Sequence, residues 1–306
     1  MLEIYFKTIR DTEFKQIDDF RVGSFLYIKD ATADDLTKIE ELSGLDAADL
    51  RDTLDKYELP RIEHIGENIL LFIRHPSEVE FGLYTNTLTL ILTNSFVIAI
   101  SPDRSDIIEQ FLMRTQNFGT TQKAKLILHI LLKITQDYTN SIKRVRHTIL
   151  DHEKSMKIID NDAIMVMTKN EEILNQYLTA LVPMRNTLEV VFERRYFNLY
   201  EEDLDLLEDL MIAIRQSEDV CRVNIKSIRS IRDSYQIIFT NDVNRTIKLL
   251  TSLMIIFTIP AITASLYGMN VKLPFQSYSF AFWIVIFIIL CASFIAIILF
   301  RRNRWL

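Results

Sequence analysis

Asn244, Thr251, Thr258 and Ser265 stand seven residues apart. A repeat of seven keeps side chains on one face of a supercoiled helix. Facing lipid, these oxygens would gain nothing. Facing the axis of a helix bundle, they can meet water or an ion. Ile247, Met254 and Ala261 follow the first three polar positions by three residues each. Polar and apolar rings would then alternate, as in a narrow pore with dewetting constrictions. Ordinary helix–helix packing accounts for the same residues if the hydroxyls bond their own backbone. Ser252 and Thr263, off the stripe, fit that second reading.

The stripe runs into Tyr267-Gly268-Met269-Asn270. The Asn270 carboxamide offers a neutral, strongly dipolar oxygen acceptor. A ring of such oxygens can hold a cation without a fixed negative charge. Magnesium loses its inner waters reluctantly, so a ring of asparagines would bind the hydrated ion through those waters. Gly268 is expected to let the chain turn out of the helix and expose backbone carbonyls.

Two uncharged stretches must position these groups. Residues 249–271 and 273–300 contain no charged side chain, in a chain of 306 residues with a formal net charge of −6. Each is near or above the roughly 20 residues that cross a bilayer core, and core helices rarely run so long uncharged. Pro274 and the polar Gln276–Ser279 interrupt the second stretch, so its span is read as 280–300. Pro260 removes a backbone donor inside the first span and is expected to kink it. Arg245 and Lys248 precede the first span, Arg301, Arg302 and Arg304 follow the second, and the loop between holds only Lys272. The positive-inside rule puts both ends in the cytoplasm. "MLEIYFKTIRDTEF" lacks the basic-then-apolar order of a signal peptide, which agrees.

Upstream of the spans the chain reads as an α+β protein. Strand-like runs occur at 24–28, 68–73, 87–93 and 96–100, bounded by turn formers. "TADDLTKIEELSG" suits a helix from a Thr32 cap to Gly44, and Asp46–Tyr57 suits another. From about Thr121, Leu126, Ile130, Ile134, Tyr138, Ile142, Val145 and Ile149 keep helical spacing. A turn at Asp160–Asp162 and a second helix from about Ala163 to Tyr200, kinked at Pro183, would complete a hairpin. A third helix from Glu201 carries an apolar seam at Leu204, Leu207, Met211, Ile214, Cys221, Ile225 and Ile228, interrupted by Glu218. With no proline or glycine before Ile259, it is expected to run on into the first span, on the order of 100 Å in all.

Cys221 and Cys291 are far apart and the histidines show no ligand spacing. No nucleophile–base pair, phosphate loop or metal cluster emerges, so an enzyme is not expected.

The tetrapeptide at the end of the first span resembles the signature of the CorA family of divalent-cation (magnesium) channels and transporters. "NRTIKLLT" at 244–251 resembles the start of that family's pore helix. "PRIE" at 60–63 and "LILTNSFVI" at 90–98 resemble its cytoplasmic domain, "VPMRN" at 182–186 its helical hairpin, and "RRNRWL" its basic C-terminus. The resemblance implies a funnel-shaped homopentamer. A cytoplasmic α/β domain over residues 1–120 would lead to a hairpin (121–200), a stalk helix (201–248) and the pore span (249–270). An extracellular loop (271–279), a second span (280–300) and a basic cytoplasmic tail (301–306) would follow. It implies passive Mg2+ transport across the plasma membrane, with Co2+, Ni2+ or Zn2+ as alternatives, and no nucleotide or nucleic acid as partner. A non-conducting membrane-anchored metal sensor is the reading from another class.

Residue by residue, the resemblance makes Tyr267, Gly268, Met269 and Asn270 the selectivity filter. Asn244, Ile247, Leu250, Thr251, Met254, Thr258 and Ser265 would line or gate the pore. Thr258 falls where the family can carry methionine, which predicts a softer gate. Asp209 would hold a regulatory Mg2+ between subunits with Glu80 or Glu78. Arg301, Arg302 and Arg304 would ring the inner mouth or anchor to anionic headgroups. The loop carries no acid, and Lys272 follows Asn270 by two residues, a departure from the family pattern.

Overall fold

The computed structural model describes residues 2–80, 83–114, 117–154, 161–193, 199–271 and 280–305. The chain divides into two compact units, Met1–Ser230 and Ile231–Leu306.

The first unit is built on one seven-stranded sheet. Its strands are β1 (Leu2–Phe6), β2 (Lys15–Gln16), β3 (Phe25–Ile28), β4 (Arg61–Ile65), β5 (Asn68–Glu80), β6 (Leu83–Leu92) and β7 (Val97–Ile100). Their order across the sheet is β2-β1-β3-β7-β6-β5-β4. The pairing of β3 with β7 is parallel and the other neighbours are antiparallel. The four strand-like runs fall on β3, β5, β6 and β7, with Ser24, Thr93 and Phe96 just outside the strands. β1, β2 and β4 were not anticipated: β2 and β4 are the two edges of the sheet, short or charged, and β1 is a five-residue run with Glu3 inside it.

Alternation of side chains loads both faces of the sheet. Leu26, Ile28, Leu70, Phe72, Ile98 and Ile100 form one core with Leu36 and Ile39 of α1 (Ala33–Ser43) and Leu50 of α2 (Ala47–Leu50). The other face meets α4 (Lys123–Lys154) and α5 (Asn161–Phe192), with α3 (Ile107–Leu112) packed on α4. Tyr138 of α4, for example, donates its hydroxyl to the Arg74 carbonyl on β5 at 3.1 Å.

Local chemistry sets the helix ends. The Asp35 carboxylate accepts from the Thr32 backbone N–H and hydroxyl at 3.2 and 3.0 Å, and Gly44 closes α1 in the left-handed region at φ 70°. The helix expected over Asp46–Tyr57 is shorter: α2 passes into a 3₁₀ turn at Arg51–Leu54. There Asp55 turns extended and its carboxylate takes the Tyr57 N–H at 2.8 Å. The second hairpin helix ends at Phe192 rather than Tyr200. Tyr200 instead caps the next helix, exchanging bonds with Asp203: its carbonyl accepts at 3.0 Å and its N–H donates at 3.3 Å. Asn161 and Asp162, expected in a turn, open α5; Asp160 lies outside the described residues.

α6 runs without a break from Glu201 to Tyr267, 67 residues. In the first unit its buried positions are Asp203, Leu207, Leu210, Ile214, Ser217, Cys221, Asn224, Ile225 and Ile228. Alternating spacings of four and three make this a heptad seam. Asp203 and Leu210 take the places expected for Leu204 and Met211, and Ser217 fills the gap ascribed to Glu218. Ser217 bonds Thr139 of α4 at 3.0 Å, so a hydroxyl pair replaces an apolar contact.

The second unit holds the rest of α6 and α7 (Ala281–Arg302). Both helices are long and apolar enough to cross a membrane.

Candidate functional site

α6 in the second unit has two unlike faces. Ser252 is fully buried, and Ile256, Ile259 and Thr263 are half-buried. At about 100° per residue these four lie within roughly 60° of one another. Ile247, Met254, Thr258, Ala261 and Ser265 cluster about half a turn away and are all exposed. Asn244 and half-buried Thr251 flank that exposed face on one side, and Leu250 on the other. The stripe picked out by spacing thus lies mostly opposite the sheltered side.

Hydroxyl geometry sharpens the chemistry. Thr258 Oγ1 donates to the Met254 carbonyl at 2.7 Å. With its proton spent on the backbone, the oxygen presents lone pairs outward. Waters around a cation point their hydrogens away from it, and such an oxygen can accept them. Thr263 and Ser252 on the sheltered side also bond their own helix, to Ile259 at 2.9 Å and Leu249 at 2.8 Å. The hydroxyls of Ser252, Thr258 and Thr263 thus all bond their own helix, and they differ in exposure: Thr258 is exposed, Thr263 half-buried and Ser252 buried.

The mouth departs from expectation in one respect. Gly268 does not use the left-handed region; among the described residues the glycines with positive φ are Gly23, Gly44 and Gly66. Its N–H stays bonded to the Ala264 carbonyl at 2.9 Å, and Met269 N–H bonds Leu266 at 3.3 Å. The last turn tightens toward i→i+3 bonding, and helical bonding rather than a φ reversal governs the exit. A Cβ on Gly268 would sit 3.3 Å from the Ala264 carbonyl oxygen. Met269 and Asn270 follow, both exposed. Lys272 and the rest of the connecting loop to Ser279 lie outside the described residues.

In the first unit Asp209 is exposed on α6. Glu78 and Glu80 belong to the end of β5, where the pairing with β6 shifts register between Pro76 and Glu80, and their side chains lie outside what the structure describes. β5 pairs with β6 as far as Glu80, while β4 reaches only Phe72, so this ribbon extends past its neighbour. Among the described residues no group of three or more His, Cys, Asp or Glu is gathered to hold a metal. Arg301, Arg302 and Arg304 are exposed after the second apolar stretch.

Two buried polar clusters carried no sequence signal. Arg74 is held by the carbonyls of Lys56 and Glu58 and by Thr85 and Thr87, at 2.6–3.1 Å. His75 is buried between Ser105 Oγ at 3.1 Å and the Pro76 carbonyl at 3.0 Å. Burial lowers its pKa to about 4, so the ring is neutral near pH 7.

The chain thus combines a sheet-based unit with two helices long and apolar enough to cross a membrane. Comparison with known proteins makes this specific. The family model described as "CorA-like Mg2+ transporter protein" matches residues 23–302, and the chain belongs to that family. The "Cobalt/magnesium transport protein CorA" of Methanocaldococcus jannaschii is 25% identical over 289 residues, covering 90% of this chain and 89% of the relative. The complete structure of the CorA magnesium transporter from that organism aligns over 100% of this chain and 99% of its own, at TM-score 0.84 and 22% identity. Full-length CmaX aligns at TM-score 0.78 and 15% identity, over 99% and 97% of the two chains. The cytoplasmic domain of ZntB from Vibrio parahaemolyticus aligns at 0.64 and 10%, over 78% of this chain and 98% of that one. At these identities the structural likenesses speak to fold.

Proposed function

We propose that this protein is a passive Mg2+ channel of the plasma membrane, assembled from five copies with the α6 spans around the pore and α7 outside. Both termini would lie in the cytoplasm. The observation that carries the reading is the two-faced α6: acceptor oxygens and apolar side chains alternate on the exposed face, opposite the side sheltered within the chain. Exposed polar groups at membrane depth are best accommodated along a hydrated path.

Asn270 selects the hydrated ion at the outer mouth, with Tyr267, Gly268 and Met269 shaping that mouth. Thr258, Ser265, Thr251 and Asn244 offer water acceptors along the pore. Ile247, Leu250 and Met254 are the dewetting positions. Asp209 and Glu80 or Glu78 of a neighbouring copy clamp a regulatory Mg2+; the ion favours the closed state, and its loss shifts the population toward open. The name of the Methanocaldococcus relative supports Co2+ as a second cargo.

The test is Mg2+ entry into proteoliposomes driven only by an imposed gradient, with internal Mg2+ varied. Uptake lost in Asn270→Ala supports the filter, and inhibition by internal Mg2+ weakened in Asp209→Asn supports the clamp. Correctly folded and oriented protein that passes no Mg2+ when internal Mg2+ is absent would overturn the channel reading.

A further inference from the structure

The chain has two tryptophans, Trp283 and Trp305, and they bracket α7. The 22 residues of α7 span about 33 Å, close to a bilayer's hydrocarbon thickness. Trp283 packs edge-to-face on Phe282 at 5.6 Å, and Trp305 stacks on Phe300 at 5.6 Å with 21° between the rings. Paired aromatics at both ends of a span match the interfacial belts of membrane helices.

The ends differ in charge and in how the backbone closes. No charged side chain occurs from 273 to 300, whereas Arg301, Arg302 and Arg304 crowd the other end. There the helix finishes in a Schellman motif. Trp305 N–H bonds the Phe300 carbonyl at 2.9 Å and Arg304 N–H bonds the Arg301 carbonyl at 3.2 Å. Arg304 occupies the left-handed position at φ 58°, where glycine is the usual and less strained residue. An arginine at this turn carries a charge at a backbone cost glycine would avoid. The turn also folds Trp305 back onto Phe300, so an interfacial ring and exposed guanidinium groups share one compact cap.

We propose that this cap is an anionic-phospholipid site: Arg301, Arg302 and Arg304 bind headgroup phosphates while the Trp305–Phe300 stack sits at the level of the upper acyl chains. Guanidinium forks match phosphate oxygens bidentately, and anionic leaflets concentrate that partner. The proposal rests on α7 spanning the membrane, not on which ion crosses it, so the failure of either reading can be told from the other.

The experiment uses full-length protein carrying Trp283→Phe, which leaves Trp305 as the fluorophore. It is reconstituted in phosphatidylcholine vesicles containing, at equal mole fraction, brominated-chain phosphatidylglycerol or brominated-chain phosphatidylcholine. Trp305 should be quenched by both lipids, at least two-fold more by the phosphatidylglycerol. Arg304→Gly keeps the turn and removes one charge, and should lower that preference. Combining it with Arg301→Gln and Arg302→Gln should abolish it, with quenching by phosphatidylcholine retained as the sign that the helix is still inserted. Replacing all three by lysine should keep most of the preference. Equal quenching in the parent protein, or a preference unchanged without the arginines, overturns the headgroup site. Quenching by aqueous acrylamide with none from either lipid places the cap away from the bilayer and overturns it as well.

Discussion

Arg185 on α5 donates from Nε to Glu218 Oε2 on α6 at 3.2 Å, joining the hairpin to the long helix. The same guanidinium donates to Glu189 at 2.7 Å, Arg215 reaches Glu189 at 3.2 Å, and Arg222 closes on Glu218 at 2.8 Å. With side chains 25% and 13% exposed, Arg185 and Glu218 are sheltered enough for the pair to matter. Arg185→Ala in the full-length protein should cost about 1–3 kcal/mol in unfolding free energy, since it leaves a sheltered carboxylate with fewer donors. Joint replacement by Arg185→Met and Glu218→Leu should recover much of that loss. A double variant whose cost equals the sum of the singles would deny any coupling between the two.

His75 predicts a pH dependence of stability. Its folded pKa, lowered by burial to about 4, lies below the roughly 6.5 of an exposed histidine. The contribution is fully present above the unfolded value and is lost as pH falls toward the folded one, because the unfolded chain takes the proton first. Between pH 6.5 and 4 the loss amounts to about 3 kcal/mol. Thermal unfolding across that window should show it, and His75→Gln should flatten the slope. An unchanged slope in the variant would assign the acid sensitivity to other groups.

Gly119 tests backbone packing. A Cβ there would lie 2.7 Å from the Lys7 carbonyl oxygen and 3.1 Å from the Ile9 nitrogen. Thr120 N–H bonds that same carbonyl at 2.9 Å, and the Lys7 ammonium bonds the Phe118 carbonyl at 2.8 Å. Gly119→Ala must push two backbone segments apart and should cost about 1–3 kcal/mol, read as a lowered melting temperature. Gly66→Ala, with open space around its φ of 61°, should cost less, about 1 kcal/mol.

Thr258 separates the two uses of a hydroxyl. Thr258→Val keeps the shape and removes the oxygen that would accept from a hydrated ion; it should reduce Mg2+ uptake several-fold with little change in thermal stability. Thr258→Ser keeps the oxygen and should transport comparably. Equal uptake in all three would place this side chain outside the conducting path.

Much of the candidate site was legible because its signals are one-dimensional. Absence of charge over a span's length, a seven-residue recurrence of Asn244, Thr251, Thr258 and Ser265, and basic residues beside each apolar run all follow from helix pitch and bilayer thickness. Leu126 to Ile149 appeared as a helix face for the same reason, and every residue of that series is buried. The seam of α6 was misread at Leu204, Met211 and Glu218, in part because apolarity was taken as the sign of burial. Ser217 and Asn224 are buried polar residues at heptad positions, and only neighbouring helices reveal that.

Apart from the short α3 (Ile107–Leu112), which carried no such signal, the sequence read along the chain alone specifies most of the helices and their order, the two apolar stretches, the polar stripe and the tetrapeptide ending at Asn270. These depend on residues near one another along the chain. Tertiary structure alone decided the strand order β2-β1-β3-β7-β6-β5-β4, the parallel pairing of β3 with β7, and the burial of His75 against Ser105. It also decided the Arg185–Glu218 link and which face of the apolar part of α6 is sheltered. Each depends on groups distant in sequence whose meeting is set by how whole elements pack, and local propensity does not encode that choice.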